Sequence, residues 1–251
     1  MKKPVGAFLL LTASVCGAFT SPFRTKSRPF AHLPMSLLVS HVQHLDVDVK
    51  LILASQSPRR REILDMMGLG GKYTVNPSPL DESSLQLLLK DEDPKEYTRI
   101  LAEEKAKALA ETLTTSVPTL VLGSDTIVEL EGKILEKPID SDSAVTMLKQ
   151  LSANHHQVHT GVAIYLVVNK DVQLLSSFTD TANVYFAELS EEDIKAYVET
   201  GEPMDKAGAY GIQAIGGQFV VKVEGDFFTV MGLPMHRVST ELAKAVKTIL
   251  K

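Results

Sequence analysis

An α/β fold is predicted by three features of this 251-residue chain. Apolar strand-like runs at Leu51–Ala54 and Thr119–Leu130 are separated by a helical pattern that starts at Pro94 and runs to about Leu113. Two long alternating stretches, Val158–Val168 and Leu174–Phe186, flank a turn at Asn169–Asp171. Strands and helices interleave along the chain instead of segregating, which is the pattern of the α/β class. With 44% apolar and 23% charged residues the composition is that of an ordinary globule, long enough for one large domain or two small ones.

The first 45 residues differ from the rest. They hold Lys2, Lys3, Arg24, Lys26 and Arg28 and no acid. Met1–Ala18 has a charged start, an apolar run from Val5 and small residues after Cys16, as a cleaved signal does, and the run is too short for a confident membrane span. Phe19–His44 is rich in Ser, Pro and basic residues. Together the two parts resemble the bipartite leader of plastid proteins in algae with secondary plastids, in which a phenylalanine follows the signal cleavage point, as Phe19 does here. The expectation is a removed leader over 1–45 and a folded body over 46–251, placed in an organelle. A plain secretory signal with a spacer, or a cytosolic form started at Met35, stays open. The body keeps 21 of the 26 basic residues against all 31 acids, a formal charge of −10. That balance argues against a nonspecific nucleic-acid grip. Cys16, the sole cysteine, lies in the leader, so the body has no disulfide, thiolate metal site or cysteine nucleophile.

Each element of the body has a local reason. After the run Leu51–Ala54, Ser55-Gln56-Ser57 breaks the apolar pattern, and Ser57-Pro58 is a helix start with Ser57 as N-cap. Such a start aims backbone N–H groups at one point, beside which stand Arg59, Arg60 and Arg61, so the segment suits a polyphosphate or, equally, a capped basic surface turn. Tyr73-Thr74-Val75 is a short strand, and Leu80-Asp81-Glu82-Ser83 is a loop with two acids that either are solvated or face a metal. Gly123-Ser124-Asp125-Thr126 interrupts an apolar strand, and an acid there is on a solvated face or functional. Glu131-Gly132 is a hairpin turn, Asp140–Leu151 a helix, and Ser190 opens another through Glu199 by the capping-box pattern. The loop Gly201–Gln213 follows. Phe219–Val223 and Phe227–Val230 suggest a hairpin, and Leu233–Leu250 a last amphipathic helix.

Seven segments in one order, Ser55–Arg60, Asp81-Glu82, Tyr97 through Lys105-Ala106, Gly123–Val128, Leu135–Pro138, Leu151–Val162 and Gly201–Gln213, resemble the Maf family of nucleoside triphosphate pyrophosphatases. The resemblance covers about Leu51 to Pro234. It implies a two-lobed α/β fold around a long central mixed sheet, similar to the inosine triphosphate pyrophosphatase fold, with the active cleft between lobes. It also implies cleavage of nucleoside triphosphates to monophosphate and pyrophosphate with a divalent metal, Mg or Mn, no nucleic-acid or membrane partner, and room for a homodimer. Pro58 followed directly by Arg59, Asp125-Thr126-Ile127 and Ile212-Gln213 match the dTTP/UTP branch, whereas the branch acting on 7-methyl-GTP has a tryptophan before the arginines. Ala153 and Ala214 stand where the family has glycine.

Carried onto this chain, the resemblance implies Asp125 as proton acceptor, Glu82 and Asp125 as metal ligands, and Lys105 and Lys137 as charges on the phosphates. Ser57, Arg59 and Arg60 bind the triphosphate, with Arg59 also at a position linked to substrate choice. Thr126 and Gln213 form the base-reading pair; a carboxamide can match the N3–H and carbonyl edge that thymine and uracil share. His155, His156 and His159 are spaced as a metal site could be, but a structural role is favoured. The rivals are a non-catalytic nucleotide-binding regulator of cell division, since the family is associated with septum formation, and an enzyme of another base specificity.

Overall fold

The computed structural model describes residues 37–251; the signal-like Met1–Ala18 lies outside them, as does the transit-like Phe19–His44 up to residue 36. Short 3-10 turns at Leu38–Ser40 and Val42–His44 bury Leu38 and Leu45 completely. The packed chain therefore includes residues ahead of Asp46, where the sequence expectation started it.

The sheet is mixed and seven-stranded. Its strands are β1 (Lys50–Leu53), β2 (Thr74–Val75), β3 (Thr119–Leu130), β4 (Lys133–Leu135), β5 (His155–Val168), β6 (Asp171–Phe186) and β7 (Val220–Glu224). They lie in the order β2-β1-β3-β5-β6-β7, with β4 also on β3. Only β1 pairs in parallel, with β2 and β3; every other pair is antiparallel. The turns behave as the sequence indicated: Glu131 and Gly132 both take positive φ, 52° and 78°, as do Asn169 and Lys170, the geometry of two-residue hairpin loops.

β3 organises the rest. β5 occupies one of its edges from Thr119 to Glu129. On the other edge β1 pairs with Thr119–Leu122 and β4 with Val128–Leu130. Residues 123–127 are thus left without a strand neighbour on that side, and the gap exposes the one stretch of β3 that carries polar side chains.

Alternation along the strands divides the core. On one face α3 (Pro94–Ala110) packs Ala106, Leu109 and Ala110 against Val121, Ala163, Tyr165 and Val167. On the other, Leu120, Leu122, Val162 and Ile164 meet α1 (Pro58–Leu64), α4 (Ser141–Leu151), α5 (Glu191–Glu199) and α7 (Met235–Ile249). Leu38 belongs to this second layer, its backbone N–H bonded to Ser239 Oγ of α7 at 3.1 Å.

Three local expectations are corrected. The two acids after Leu80 do not sit in a loop: Asp81 caps a helix, α2 (Glu82–Leu88), accepting from Ser83 N–H at 3.2 Å and Ser84 Oγ at 2.7 Å. The helix is held by Leu85 and Leu89 against Tyr97, Leu101 and Ile127. Phe227–Val230 is not the second strand of a hairpin but lies in α6 (Phe227–Met231). Asp226 caps it through Phe228 N–H at 2.9 Å, and Gly232, at φ 113°, ends it; this capping chemistry overrides the β propensity of two phenylalanines and a valine. Ser57 stands at the N-cap of α1, but its side chain makes no capping bond; its N–H instead donates to Ser55 Oγ at 3.2 Å.

Of the two glycine replacements, Ala153 adopts φ 54°. A left-handed backbone costs an L-residue roughly 1–2 kcal/mol relative to glycine, so this position is strained where the family's residue would not be.

Candidate active site

A cleft of about 760 Å³ opens over the exposed edge of β3. It is walled by the β1–α1 loop, the start of α2, α3, the loop after β4, residues 205–213 and residues 230–232. Every residue expected to act on substrate or metal lines it: Ser57, Arg59, Arg60, Glu82, Lys105, Asp125, Thr126, Lys137 and Gln213. Segments as far apart in sequence as Ala54 and Gly232 are brought together there.

The α3 side of the cleft is set by two glycines. A Cβ on Gly123 would lie 2.5 Å from the Ala102 carbonyl, and one on Gly161 would lie 2.2 Å from that of Thr98, so α3 rests directly on β3 and β5. Asp125 follows Gly123 on the same strand face, and Lys105 comes three residues after Ala102 on α3. At this close approach the Lys105 ammonium reaches Asp125 Oδ1 at 2.6 Å and, from α2, Glu82 Oε2 at 2.7 Å. Burial disfavours the charged lysine, but Asp125 and Glu82 more than offset it, so its pKa lies above the ordinary value and it is fully protonated at neutral pH. Two carboxylates thus converge on one cation. That donor set is of the hard oxygen kind that Mg or Mn takes alongside water and phosphate oxygens. Among the described residues no group of three or more His, Cys, Asp or Glu side chains is arranged to hold a metal ion.

The arginines are placed differently from one another. Arg59 bonds across the cleft to Asp205, NH1 to Oδ2 at 3.0 Å and NH2 to the carbonyl at 3.4 Å. Asp205 in turn accepts from Lys206 Nζ at 2.6 Å. Arg60 donates Nε to the Gly232 carbonyl at 2.9 Å, NH1 to Ser55 Oγ at 2.9 Å and NH2 to Thr126 Oγ1 at 3.2 Å. Burial lowers its basicity while Asp125 acts the other way; an arginine stays charged regardless. Lys137 is exposed at the rim and makes no hydrogen bond or ion pair within the described chain. Gln213 is half-buried in the wall.

Sequence reasoning missed Glu136. It faces the same cleft and accepts a 2.6 Å hydrogen bond from Tyr97 Oη of α3. Burial pushes its carboxyl above the usual range, partly countered by the tyrosine bond. Its signal was available: Glu136 lies inside the Leu135–Pro138 motif, next to Lys137. Glu202 was also missed. Its carboxylate accepts from Tyr197 Oη at 2.9 Å and from the N–H groups of Ile215 and Gly216, both at 3.1 Å, and so shapes the loop that presents Gln213.

The three histidines do not converge. His155 stacks on Tyr185 with centroids 5.5 Å apart. His156 is buried against Tyr210 Oη at 2.8 Å, and burial lowers its pKa to about 3. His159 bonds to Thr181 Oγ1 at 2.8 Å and Glu129 Oε2 at 2.6 Å.

The chain is 44% identical over 188 residues to a dTTP/UTP pyrophosphatase of Bacillus velezensis, covering 75% of this chain and 92% of that protein. It is 41% identical over 203 residues to a dTTP/UTP pyrophosphatase of Caldicellulosiruptor saccharolyticus, covering 80% and 98%. A human protein described as a probable bifunctional dTTP/UTP pyrophosphatase/methyltransferase is 44% identical over 205 residues, 78% of this chain but only 32% of the human one. The Maf-like protein family model matches residues 50–245, and with the bacterial relatives covered almost end to end, the chain belongs to the Maf family.

Proposed function

We propose that this protein hydrolyses dTTP and UTP to the nucleoside monophosphate and pyrophosphate. The observation that carries the reading is the Glu82–Lys105–Asp125 cluster at 2.6 and 2.7 Å on the floor of a cleft whose walls bear Arg59, Arg60 and Lys137. One part of the site is built for negative charge spread over several oxygens, and another holds carboxylates beside it. The names of the bacterial relatives support the choice of nucleotide.

In this reading Arg60 and Lys105 hold the phosphate chain, with Lys137 free to close on its outer end and Arg59 reaching it by exchanging its bond to Asp205. Asp125 accepts a proton from the water that attacks the α-phosphorus as the α–β anhydride bond breaks. Glu82 and Asp125 would hold a divalent cation, Mg or Mn, which when bound neutralises phosphate charge. Gln213 offers an acceptor and donors in one plane to the base edge. Cytosine inverts that pattern at N3 and C4 and would leave groups unpaired.

The test is a screen of the protein from Leu37 onward against the common nucleoside triphosphates, with Mg or Mn, following both products. The predicted outcome is monophosphate plus pyrophosphate from dTTP and UTP, with CTP about tenfold to a hundredfold poorer, the effect of losing one hydrogen-bond match of roughly 1–3 kcal/mol. A preference for GTP, or release of single phosphate, would exclude this function.

The leader supports a second element of the proposal, delivery to an organelle and specifically a plastid. A reporter fused to residues 1–48 is expected to be imported and shortened in stages; diffuse cytosolic fluorescence at full length would count against it. Among the described residues no helix is long and apolar enough to cross a membrane.

A further inference from the structure

Lys105 and Arg59 are each paired with carboxylates, but Arg60 is not. Its three donor contacts are all neutral: a backbone carbonyl and two hydroxyls. Such contacts fix the direction of a guanidinium without cancelling its charge.

Following the hydrogens shows what one of these contacts commits. The Thr160 hydroxyl donates to the Thr229 carbonyl at 2.7 Å. A hydroxyl has one hydrogen, so in the 2.9 Å contact between Thr126 and Thr160, Thr126 is the donor. Thr126 then accepts from Arg60 and donates to Thr160, and it has no hydrogen left for the edge of a base. The two threonines are direct cross-strand partners on β3 and β5, so the sheet register sets their contact.

The far end of the relay is anchored independently. Thr229 donates its own hydroxyl to Asp180 at 2.7 Å, which ties α6 to β6. At the other end of α6 the Gly232 carbonyl accepts from Arg60 Nε and from Ser124 Oγ at 3.1 Å. One five-residue helix thus holds the guanidinium twice, directly at Gly232 and through two threonines at Thr229. A Cβ at Gly232, already at φ 113°, would stand 3.2 Å from Thr126 Oγ1, inside this same junction.

We propose that Thr160, linked through Thr126, is a positioning residue that aims the Arg60 guanidinium at the phosphates, and that base choice does not run through the Thr126 hydroxyl. This deepens the pyrophosphatase reading and rests on it for the identity of the anion.

The test uses Thr160→Val, which keeps the shape and removes both hydrogen bonds of the link. Calorimetry with inorganic tripolyphosphate, which has no base, is expected to give about tenfold weaker binding than wild type. KM for dTTP, UTP and CTP should rise together, with the UTP-to-CTP preference within about twofold of wild type. Thr160→Ser, which restores the hydroxyl, should recover wild-type binding. In an Arg60→Ala background Thr160→Val should cost nothing more, because it acts only through Arg60. Should Thr160→Val not fold, Thr126→Val cuts the same link one step closer to Arg60 and is judged the same way. The proposal is overturned by unchanged tripolyphosphate binding, by effects that add to those of Arg60→Ala, by a tenfold change in UTP-to-CTP preference on Thr126→Val, or by a wild type that binds no tripolyphosphate. If the wild type binds tripolyphosphate but hydrolyses neither dTTP nor UTP, the functional reading falls while the binding comparison still decides the role of Thr160.

Discussion

Asp125→Asn is expected to lower turnover of dTTP and UTP by about 10³-fold or more, while nucleotide affinity stays within a few-fold of wild type. The magnitude is that of removing a positioned general base. Affinity is retained because the substitution removes a negative charge from beside the phosphates and leaves Arg59, Arg60, Lys105 and Lys137 in place. Folding is retained because the asparagine side chain keeps an oxygen acceptor toward Lys105 and Glu82 still neutralises that lysine, 2.7 Å away. Single-turnover rates, a binding isotherm and a melting curve on the same preparation separate the three quantities. A variant that hydrolyses UTP at near wild-type rate would remove Asp125 from the mechanism and turn attention to Glu136, a cleft carboxylate that, unlike Glu82 and Asp205, is in no ion pair among the described residues.

Gly161→Ala is expected to destabilise the protein by about 3 kcal/mol or more, and to lower activity in whatever fraction remains folded. The added methyl would sit 2.2 Å from a backbone carbonyl of α3, and neither that carbonyl nor the strand beneath it can move aside alone. Relief requires α3 to lift from the sheet. Lifting α3 withdraws Lys105 from Asp125, so the same change weakens the fold and opens the site. Gly123→Ala should behave alike, with the nearest obstruction, the Ala102 carbonyl, at 2.5 Å. Chemical denaturation with both single variants checks the claim; an alanine at 161 costing under about 1 kcal/mol would show that the helix is not seated as described.

Much of the molecule was legible in the residues. Thr119–Leu130 forms the strand its apolar pattern indicated, and the hairpin at Asn169-Lys170 and the capped helices at Asp140 and Ser190 follow from side chains that act on their immediate neighbours. These signals are local, so one window of sequence contains both the cause and the effect. α2 and α6 were missed although their capping aspartates, Asp81 and Asp226, are equally local. In both, the apolar content of a short segment gave no period long enough to separate strand from helix. The motifs likewise named Arg60, Lys105, Asp125 and Gln213 without any structure, because residue type and order carry that much.

What the sequence by itself determined, then, is an α/β chain with strands, caps and a set of charged residues in a recognisable order. Only the tertiary structure decided how those residues share a site. Asp125 and Thr126 are neighbours in sequence but project to opposite faces of β3, one to Lys105 on α3 and the other to Arg60 and Thr160. The cleft exists because β1 and β4 occupy the same edge of β3 and leave residues 123–127 unpaired between them. That gap, the seating of α3 on two glycines and the hydroxyl relay behind Arg60 all depend on strand register and on contacts between residues 20 to 172 positions apart. No local window contains both partners of such a contact, which is why it had to be seen in three dimensions.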